Sequence, residues 1–263
     1  MQKIIKKFRL LDTPVANASY NMAVDEVLLQ SSIDSGIPIL RIYEWENALS
    51  FGRFNKIHEI LDLTTVDLNK ISYARRLTGG GVLVHGGDIS YSLIMPKTAL
   101  HDLSPKESYR YLCSFLINFY KKLGLEPKFA QDENLHISKS NICTASNEPY
   151  DITINAKKIG GNAQRYSKKT LFQHGSIPLS VDTKLFEKLF LENAHLEDIN
   201  TLEKLGLSSS KDELKKLMIH SFIESFNVEL IDDTLTEQEF QKIDKLQKTK
   251  YDTYRWNIDA IQL

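Results

Sequence analysis

Cys143 and Lys158 are the side chains of this sequence best suited to nucleophilic, covalent chemistry. Cys143 falls in Asn141-Ile142-Cys143-Thr144-Ala145-Ser146-Asn147-Glu148-Pro149-Tyr150, a polar stretch without core periodicity. Loops held on a rigid frame are where reactive side chains collect. A free thiol, with a pKa of roughly 8.5, is only slightly ionised at neutral pH, so a nucleophilic cysteine needs a cation or a base beside it. Lys158 supplies a cation at the head of Lys158-Ile159-Gly160-Gly161, where the paired glycines let the main chain approach a ligand. Taken singly, a loop cysteine is also compatible with an inert thiol, and a lysine near a turn with a solvated one.

A second concentration of chemistry is Arg75-Arg76-Leu77-Thr78-Gly79-Gly80-Gly81, which runs on through Val82-Leu83-Val84-His85-Gly86-Gly87-Asp88. Consecutive glycines free the backbone for positive φ and let a ligand lie against the main chain. Alternation of Val82 and Val84, then of Ile89, Tyr91 and Leu93, predicts two strands joined as a hairpin by residues 85–88 and facing a pocket. No Gly-Lys-Ser/Thr follows, so this is not a Walker loop, and it is not a G-x-G-x-x-G turn between a strand and a helix. His85 and His174 each stand beside a glycine at a strand end. Either can act as a base or a hydrogen-bond donor, or be a structural histidine satisfied by backbone. Asp88 reads as a turn residue.

The elements that must position these residues follow from capping and periodicity. A strand over 9–12 leads to Asn17 as N-cap of a helix whose core stripe is Ala18, Met22, Ala23, Val27 and Leu28, with Asp25 and Glu26 turned away. That helix ends near Gly36 and Pro38. Residues 39–43 and 48–52 read as a strand pair, 57–69 as a polar helix, and 71–74 as the strand that delivers the arginines. Ser104-Pro105 with Glu107 starts another helix, ending at Gly124, in which Cys113 is a small core hydrophobe. Strands are expected over 127–129, 135–137, 151–154 and 170–179. Beyond Asp182 the chain turns helical and charged, with a break at Ser208-Ser209-Ser210 and amphipathic helices over 212–226 and 236–248. The reading is an α/β catalytic domain over 1–181 and a helical C-terminal extension over 182–263 packed on it.

Composition narrows the function. In 263 residues, 33 basic and 34 acidic side chains nearly cancel, so no overall field points to nucleic acid or a membrane surface. No apolar run approaches a membrane span, and the N-terminus shows no export signal. Two cysteines without a partner motif fit a reducing cytoplasm, and the seven histidines lack H-x-x-x-H spacing, so no metal is expected.

The motifs in their order are Arg75-Arg76-x-Thr78-Gly79-Gly80-Gly81 with Val84-His85, then Lys158-Ile159-Gly160-Gly161-Asn162-Ala163-Gln164, then Gln173-His174-Gly175-Ser176. Outside them lie Asn21-Met22-Ala23-x-Asp25-Glu26 and Lys250-Tyr251-x-x-x-Arg255-Trp256-Asn257. Together, over nearly the whole chain, they resemble the lipoate–protein ligase and octanoyltransferase family. The resemblance implies a mixed, mostly antiparallel β-sheet flanked by helices, related to biotin protein ligases. It implies one of two activities. A ligase makes a lipoyl-adenylate and needs ATP and magnesium. A cysteine-dependent transferase takes octanoyl from octanoyl-acyl carrier protein as an enzyme thioester, then passes it to a lysine of a lipoyl domain or a glycine-cleavage H-type protein, with no cofactor. One transferase branch has a cysteine, six residues, then Tyr and an acid, and Cys143, Tyr150 and Asp151 match that form. The unbroken Gly79-Gly80-Gly81 is at least as typical of ligases. The C-terminal helices are short for a ligase accessory domain, which favours the transferase.

On this resemblance Cys143 is the nucleophile and Lys158 polarises the acyl carbonyl, with backbone N–H groups near Gly160 and Gly161 holding the oxyanion. Arg75, Arg76, Thr78, Gly79, Gly80, Gly81 and His85, with Asn162, Ala163, His174 and Gly175, bind the substrate chain in a narrow slot. His85 is the candidate for helping the acceptor lysine lose its proton. A lipoyl or octanoyl amidotransferase and a non-catalytic acyl-binding protein are the other readings.

Overall fold

The computed structural model describes residues 7–100, 103–133 and 150–261. The expected strand over 135–137 and Cys143 lie outside the described residues. Strand β1 (Lys7–Ala16) leads into helix α1 (Ala18–Ser35). The Asn17 side chain accepts the Tyr20 N–H at 2.9 Å, and Gly36 closes the helix in the left-handed conformation. Strand β2 (Ile39–Trp45), strand β3 (Ala48–Phe51), helix α2 (Leu63–Leu68), strand β4 (Ser72–Arg75), strand β5 (Val82–His85) and strand β6 (Asp88–Pro96) follow. Next come helices α3 (Pro105–Leu112) and α4 (Ser114–Lys122), and strands β7 (Lys128–Phe129), β8 (Ile152–Ile154), β9 (Lys157–Lys158), β10 (Gly161–Tyr166) and β11 (Thr170–Pro178). Helices α5 (Thr183–Phe186) and α6 (Lys211–Phe226), strand β12 (Glu229–Asp232), helix α7 (Glu237–Leu246) and helix α8 (Tyr254–Asn257) complete the description.

The main sheet has the order β10-β11-β6-β2-β1-β12. It is antiparallel from β10 to β2 and parallel from β2 through β1 to β12. Two smaller sheets, β4-β3-β5 and β7-β8-β9, flank the site. This is the mixed sheet with helices on its faces that the sequence led us to expect. On one face α1 buries Met22, Val24 and Leu28 among Ile39, Ile94 and Phe172. On the other, Phe115 of α4 packs edge-on against Tyr91 of β6 and against Phe222 of α6, with ring centroids 5.1 and 5.3 Å apart. A buried aromatic of this kind contributes about 2–3 kcal/mol through apolar area removed from water.

Four expectations change. Residues 39–43 and 48–52 are not a pair: β2 lies between β1 and β6, whereas β3 lies between β4 and β5 in the small sheet. Nor do β5 and β6 form a hairpin, because Gly86-Gly87 passes the chain from the small sheet to the main one. Residues 88–95 are buried throughout, and such a strand needs partners on both edges, which β2 and β11 supply. Asp25 does not turn away from the core; it is only 1% exposed, drawn in by Arg41. Finally, the C-terminal part is not wholly helical. It contributes β12 to the edge of the main sheet, while α6 packs on α4 and α7 on α1, so the sheet continues past residue 181. Cys113 is buried between α3 and α4, and desolvation pushes its thiol pKa far up, consistent with a core residue. No described helix is long and apolar enough to cross a membrane.

Candidate active site

A cavity of about 390 Å³, part of it open to solvent, separates the main sheet from β3 and β5. Its walls are Tyr43 and Trp45 from β2, Ser50 from β3, Leu83 and His85 from β5, and Ser90 from β6. Gly161, Asn162 and Ala163 of β10 and His174, Gly175 and Ser176 of β11 close the side, and the loop residues Arg76, Gly79 and Gly80 close the end. Antiparallel register sets Gly161 opposite Ser176, Asn162 opposite Gly175, and Ala163 opposite His174. The two motifs are thereby brought side by side across one β-hairpin.

The two loop arginines have different tasks. Arg76 reaches back over the glycine run, donating to the Gly81 carbonyl at 2.8 Å and to Ser50 Oγ at 2.9 Å. Gly80 has φ +103, which favours glycine, and its turn lets Arg76 hold both arms of the loop. Arg75 points elsewhere, and its expected place on the substrate is corrected here. Its guanidinium donates to the carbonyls of Gly52, Arg53 and Asn55 at 2.8–3.1 Å, and to those of Trp256 and Asn257 at 3.0–3.1 Å. A five-donor planar fork matches this ring of carbonyls, so Arg75 ties the segment around α8 to the rest of the fold.

Two histidines sit in the cavity wall, each in a buried polar chain. His85 stacks on Trp45, with ring centroids 4.0 Å apart. Its Nδ1 is 2.8 Å from Asp88 Oδ2 and its Nε2 is 2.6 Å from Ser50 Oγ. Asp88 Oδ2 also accepts from Ser176 at 2.7 Å and Ser90 at 3.0 Å. Burial alone would raise the Asp88 pKa, but His85, the Ser176 hydroxyl and the Gly86 N–H hold it below the usual carboxylate range. His85 thus links Asp88 on its Nδ1 side to Ser50 on its Nε2 side, and Ser50 Oγ also accepts from Arg76. Asp88 is therefore not merely a turn residue.

His174 Nε2 is 2.6 Å from Thr78 Oγ1, and its Nδ1 is 3.8 Å from Asp25 Oδ2. Asp25 in turn meets Arg41 at 2.7 Å and accepts from Tyr43 Oη at 3.3 Å. Burial lowers the His174 pKa below the usual imidazole value; Asp25 opposes this shift and Arg76 adds to it. His174 is thus a neutral wall group at pH 7 that fixes Thr78 and the loop.

Lys158 lies next to this cavity. Asn155 and Ala156 both have positive φ, forming the tight turn that folds β9 back on β8. Lys158 Nζ is 2.7 Å from Asp151 Oδ2, with side-chain exposures of 6% and 3%. A second space lined by Lys158, Val84, Gly160, Pro178, Val181 and Ile199 shares Leu83, Gly161 and Ser176 with this cavity. Gly160 has φ +71, and a Cβ there would collide with the Ser176 carbonyl, so this corner requires glycine. A buried cation beside a largely apolar space can stabilise a thiolate and a carbonyl oxygen that is gaining charge. Among the described residues the one grouping with metal-ligand spacing is His195, Glu197 and Asp198, which is exposed and lines neither space.

Residues 17–232 match the lipoyl protein ligase A/B catalytic domain. The chain belongs to that family. It is 30% identical to an octanoyltransferase LipM of Bacillus cereus over 96% of this chain and 98% of the relative. It is 31% identical to an octanoyltransferase LipM of Clostridioides difficile over 96% and 99% of the two chains. Among solved structures, a lipoate-protein ligase A bound with ATP superposes with a TM-score of 0.82 at 27% identity, covering 97% of this chain and all of the other. A putative lipoate protein ligase from T. acidophilum with bound lipoic acid superposes with a TM-score of 0.80 at 25% identity, covering 96% and 99%.

Within this lipoyl ligase-type fold, most of the residues singled out from sequence gather at two adjoining spaces. Arg76, Gly79, Gly80, His85, Gly161, Asn162, Ala163, His174 and Gly175 line the first, and Lys158 and Gly160 the second. Thr78 and Gly81 stand behind, bonded to His174 and Arg76. Cys143 lies outside the described residues. Tyr43, Trp45, Ser50, Ser90 and Ser176 were not anticipated as lining residues. Only the Ser176 position carried a signal, being the last residue of the Gln173–Ser176 motif. The outer motifs meet each other: Lys250 Nζ is 2.7 Å from Glu26 Oε2, and Tyr251 Oη donates to the same oxygen at 2.6 Å.

Proposed function

We propose that this protein is an octanoyltransferase of protein lipoylation. It takes octanoyl from octanoyl-acyl carrier protein onto Cys143 and delivers it to a lysine of a lipoyl domain or of an H-type carrier. The observation that carries the reading is the buried Lys158–Asp151 pair beside a cavity with glycine-lined walls. Asp151 directly follows the segment that holds Cys143, so chain connectivity keeps the thiol within eight residues of Lys158's partner. The names carried by the LipM relatives support the same activity.

In the first half-reaction the Cys143 sulfur attacks the donor carbonyl. A new S–C bond forms, the donor's C–S bond breaks, and the Cys143 proton passes to the departing thiol. In the second half-reaction the acceptor lysine nitrogen attacks, the Cys143 C–S bond breaks, and a proton from the amine returns to the cysteine sulfur. Lys158 favours the thiolate in both steps and stabilises the oxyanion, while Asp151 holds its ammonium in place. The acyl chain lies in the cavity, where each buried methylene contributes about 0.8 kcal/mol. No nucleotide or metal takes part, and the free thiol calls for a reducing compartment such as the cytoplasm.

The test is intact-protein mass after mixing with octanoyl-acyl carrier protein without ATP. Wild type gains one octanoyl group and passes it to an apo lipoyl domain, whereas Cys143→Ala gains none. Modification of the lipoyl domain by both proteins only when ATP and magnesium are present would overturn the transferase reading in favour of a ligase.

A further inference from the structure

A second, larger groove opens on the α1 face, with an apolar floor that includes Val27, Ile33, Leu77 and Phe172. Three cations line it, Arg165 of β10 and Lys242 and Lys245 of α7, against one carboxylate, Glu26. Lys242, Lys245 and Thr249 recur at the spacing of one helix face, so the cations of this stretch point into the groove together. Glu26 is paired with Lys250 at 2.7 Å, and Asp244 beside the groove with Lys248 at 2.6 Å. The turn between β10 and β11 adds Lys168 and Lys169, both exposed. The groove therefore carries an excess of basic side chains although the chain as a whole is almost neutral.

The groove adjoins the active site. Leu77 stands between Arg76 and Thr78, and the Phe172 ring is 4.9 Å from that of His174. On edge strand β10, Arg165 shares a face with Ala163 and Gly161, which line the cavity. Arg165 is four residue steps along the strand from Gly161, roughly 13 Å at the usual rise. An acceptor lysine, with its four-carbon stem, cannot bridge that span from the groove to the site. A partner that presents its acyl group on a long flexible arm can.

We propose that this groove docks the acyl donor: an acidic carrier protein bearing its acyl thioester on a long, phosphate-bearing prosthetic arm. The assignment rests on the transferase reading above. The cations steer and hold the carrier's acidic surface, the apolar floor takes its hydrophobic contacts, and the arm runs along β10 to the cavity. Rim charges of this kind act on encounter and its salt dependence rather than on the chemical step.

The test compares wild type, Lys242→Glu/Lys245→Glu and Arg165→Glu with two donors, octanoyl-acyl carrier protein and the small uncharged thioester octanoyl-N-acetylcysteamine. Each charge reversal is expected to raise KM for the carrier roughly tenfold with kcat unchanged, and to flatten its salt dependence. Rates with the small thioester and KM for the apo lipoyl domain should stay as in wild type. An unmoved carrier KM in both variants overturns the proposal, and a rise in KM for the lipoyl domain instead assigns the groove to the acceptor. Equal losses with both donors overturn it too, because the changes then reach the site itself. Wild type that is acylated by neither donor defeats the underlying transferase reading, an outcome distinct from docking failure.

Discussion

Replacing Lys158 by methionine separates what the buried ion pair does for the fold from what it does for the reaction. Lys158 and Asp151 are 2.7 Å apart and almost fully enclosed, so the substitution takes the cation away from a buried carboxylate. Breaking a buried ion pair by removing one partner costs about 3–5 kcal/mol. For a chain of this size the melting temperature should then fall by about 6–20 °C.

The double variant Lys158→Met/Asp151→Asn removes the carboxylate that has lost its counter-ion and should recover most of the stability. It should not recover the reaction: loss of the cation beside the carbonyl lowers the single-turnover acylation rate by about 10²–10³ in both variants. Thermal melts of both variants, with acyl transfer followed by intact mass, check both arms. A double variant no more stable than Lys158→Met would refute the ion-pair reasoning. A double variant as fast as wild type would remove Lys158 from the chemistry.

Three further outcomes follow from named contacts. Arg75→Lys should destabilise the fold by about 3 kcal/mol or more, because an ammonium cannot serve the six carbonyls that the guanidinium bonds, and tryptophan fluorescence should report the release of Trp256. An unchanged melt would refute that clamp. Burial lowers the His174 pKa in the folded state, so the unfolded chain protonates first and stability declines as pH falls below about 6.5. The wild type should lose more stability between pH 7 and pH 5 than His174→Gln does, and parallel curves would contradict this. Shortening the donor from octanoyl to hexanoyl removes two methylenes from the cavity, or about 1.6 kcal/mol, and should lower kcat/KM about fifteenfold. A flat chain-length profile would show that the acyl chain does not occupy this cavity.

Local elements of this protein were legible in the sequence because their determinants are local. Asn17, Ser104 and Thr236 each cap a helix by accepting a backbone N–H three residues on, an interaction confined to one turn. Period-two and helical patterns likewise mark β6 and α4 without reference to the rest of the chain. Motif order was equally plain, and the glycine run, the Lys158 segment and the Gln173–Ser176 segment converge on one site.

Tertiary structure decided the matters that depend on which distant surfaces meet. Alternation says that β5 and β6 are strands, but only pairing energy with β3 on one side and with β2 and β11 on the other puts them in different sheets. Helical spacing places Asp25 off the apolar stripe; Arg41, on another strand, brings it inside, because a buried guanidinium needs a carboxylate. The two arginines of one motif look equivalent as letters. Their separate tasks follow from neighbours far along the chain, Trp256 and Asn257 for Arg75 and Ser50 for Arg76, and non-local contacts of this kind leave no periodic trace in a sequence.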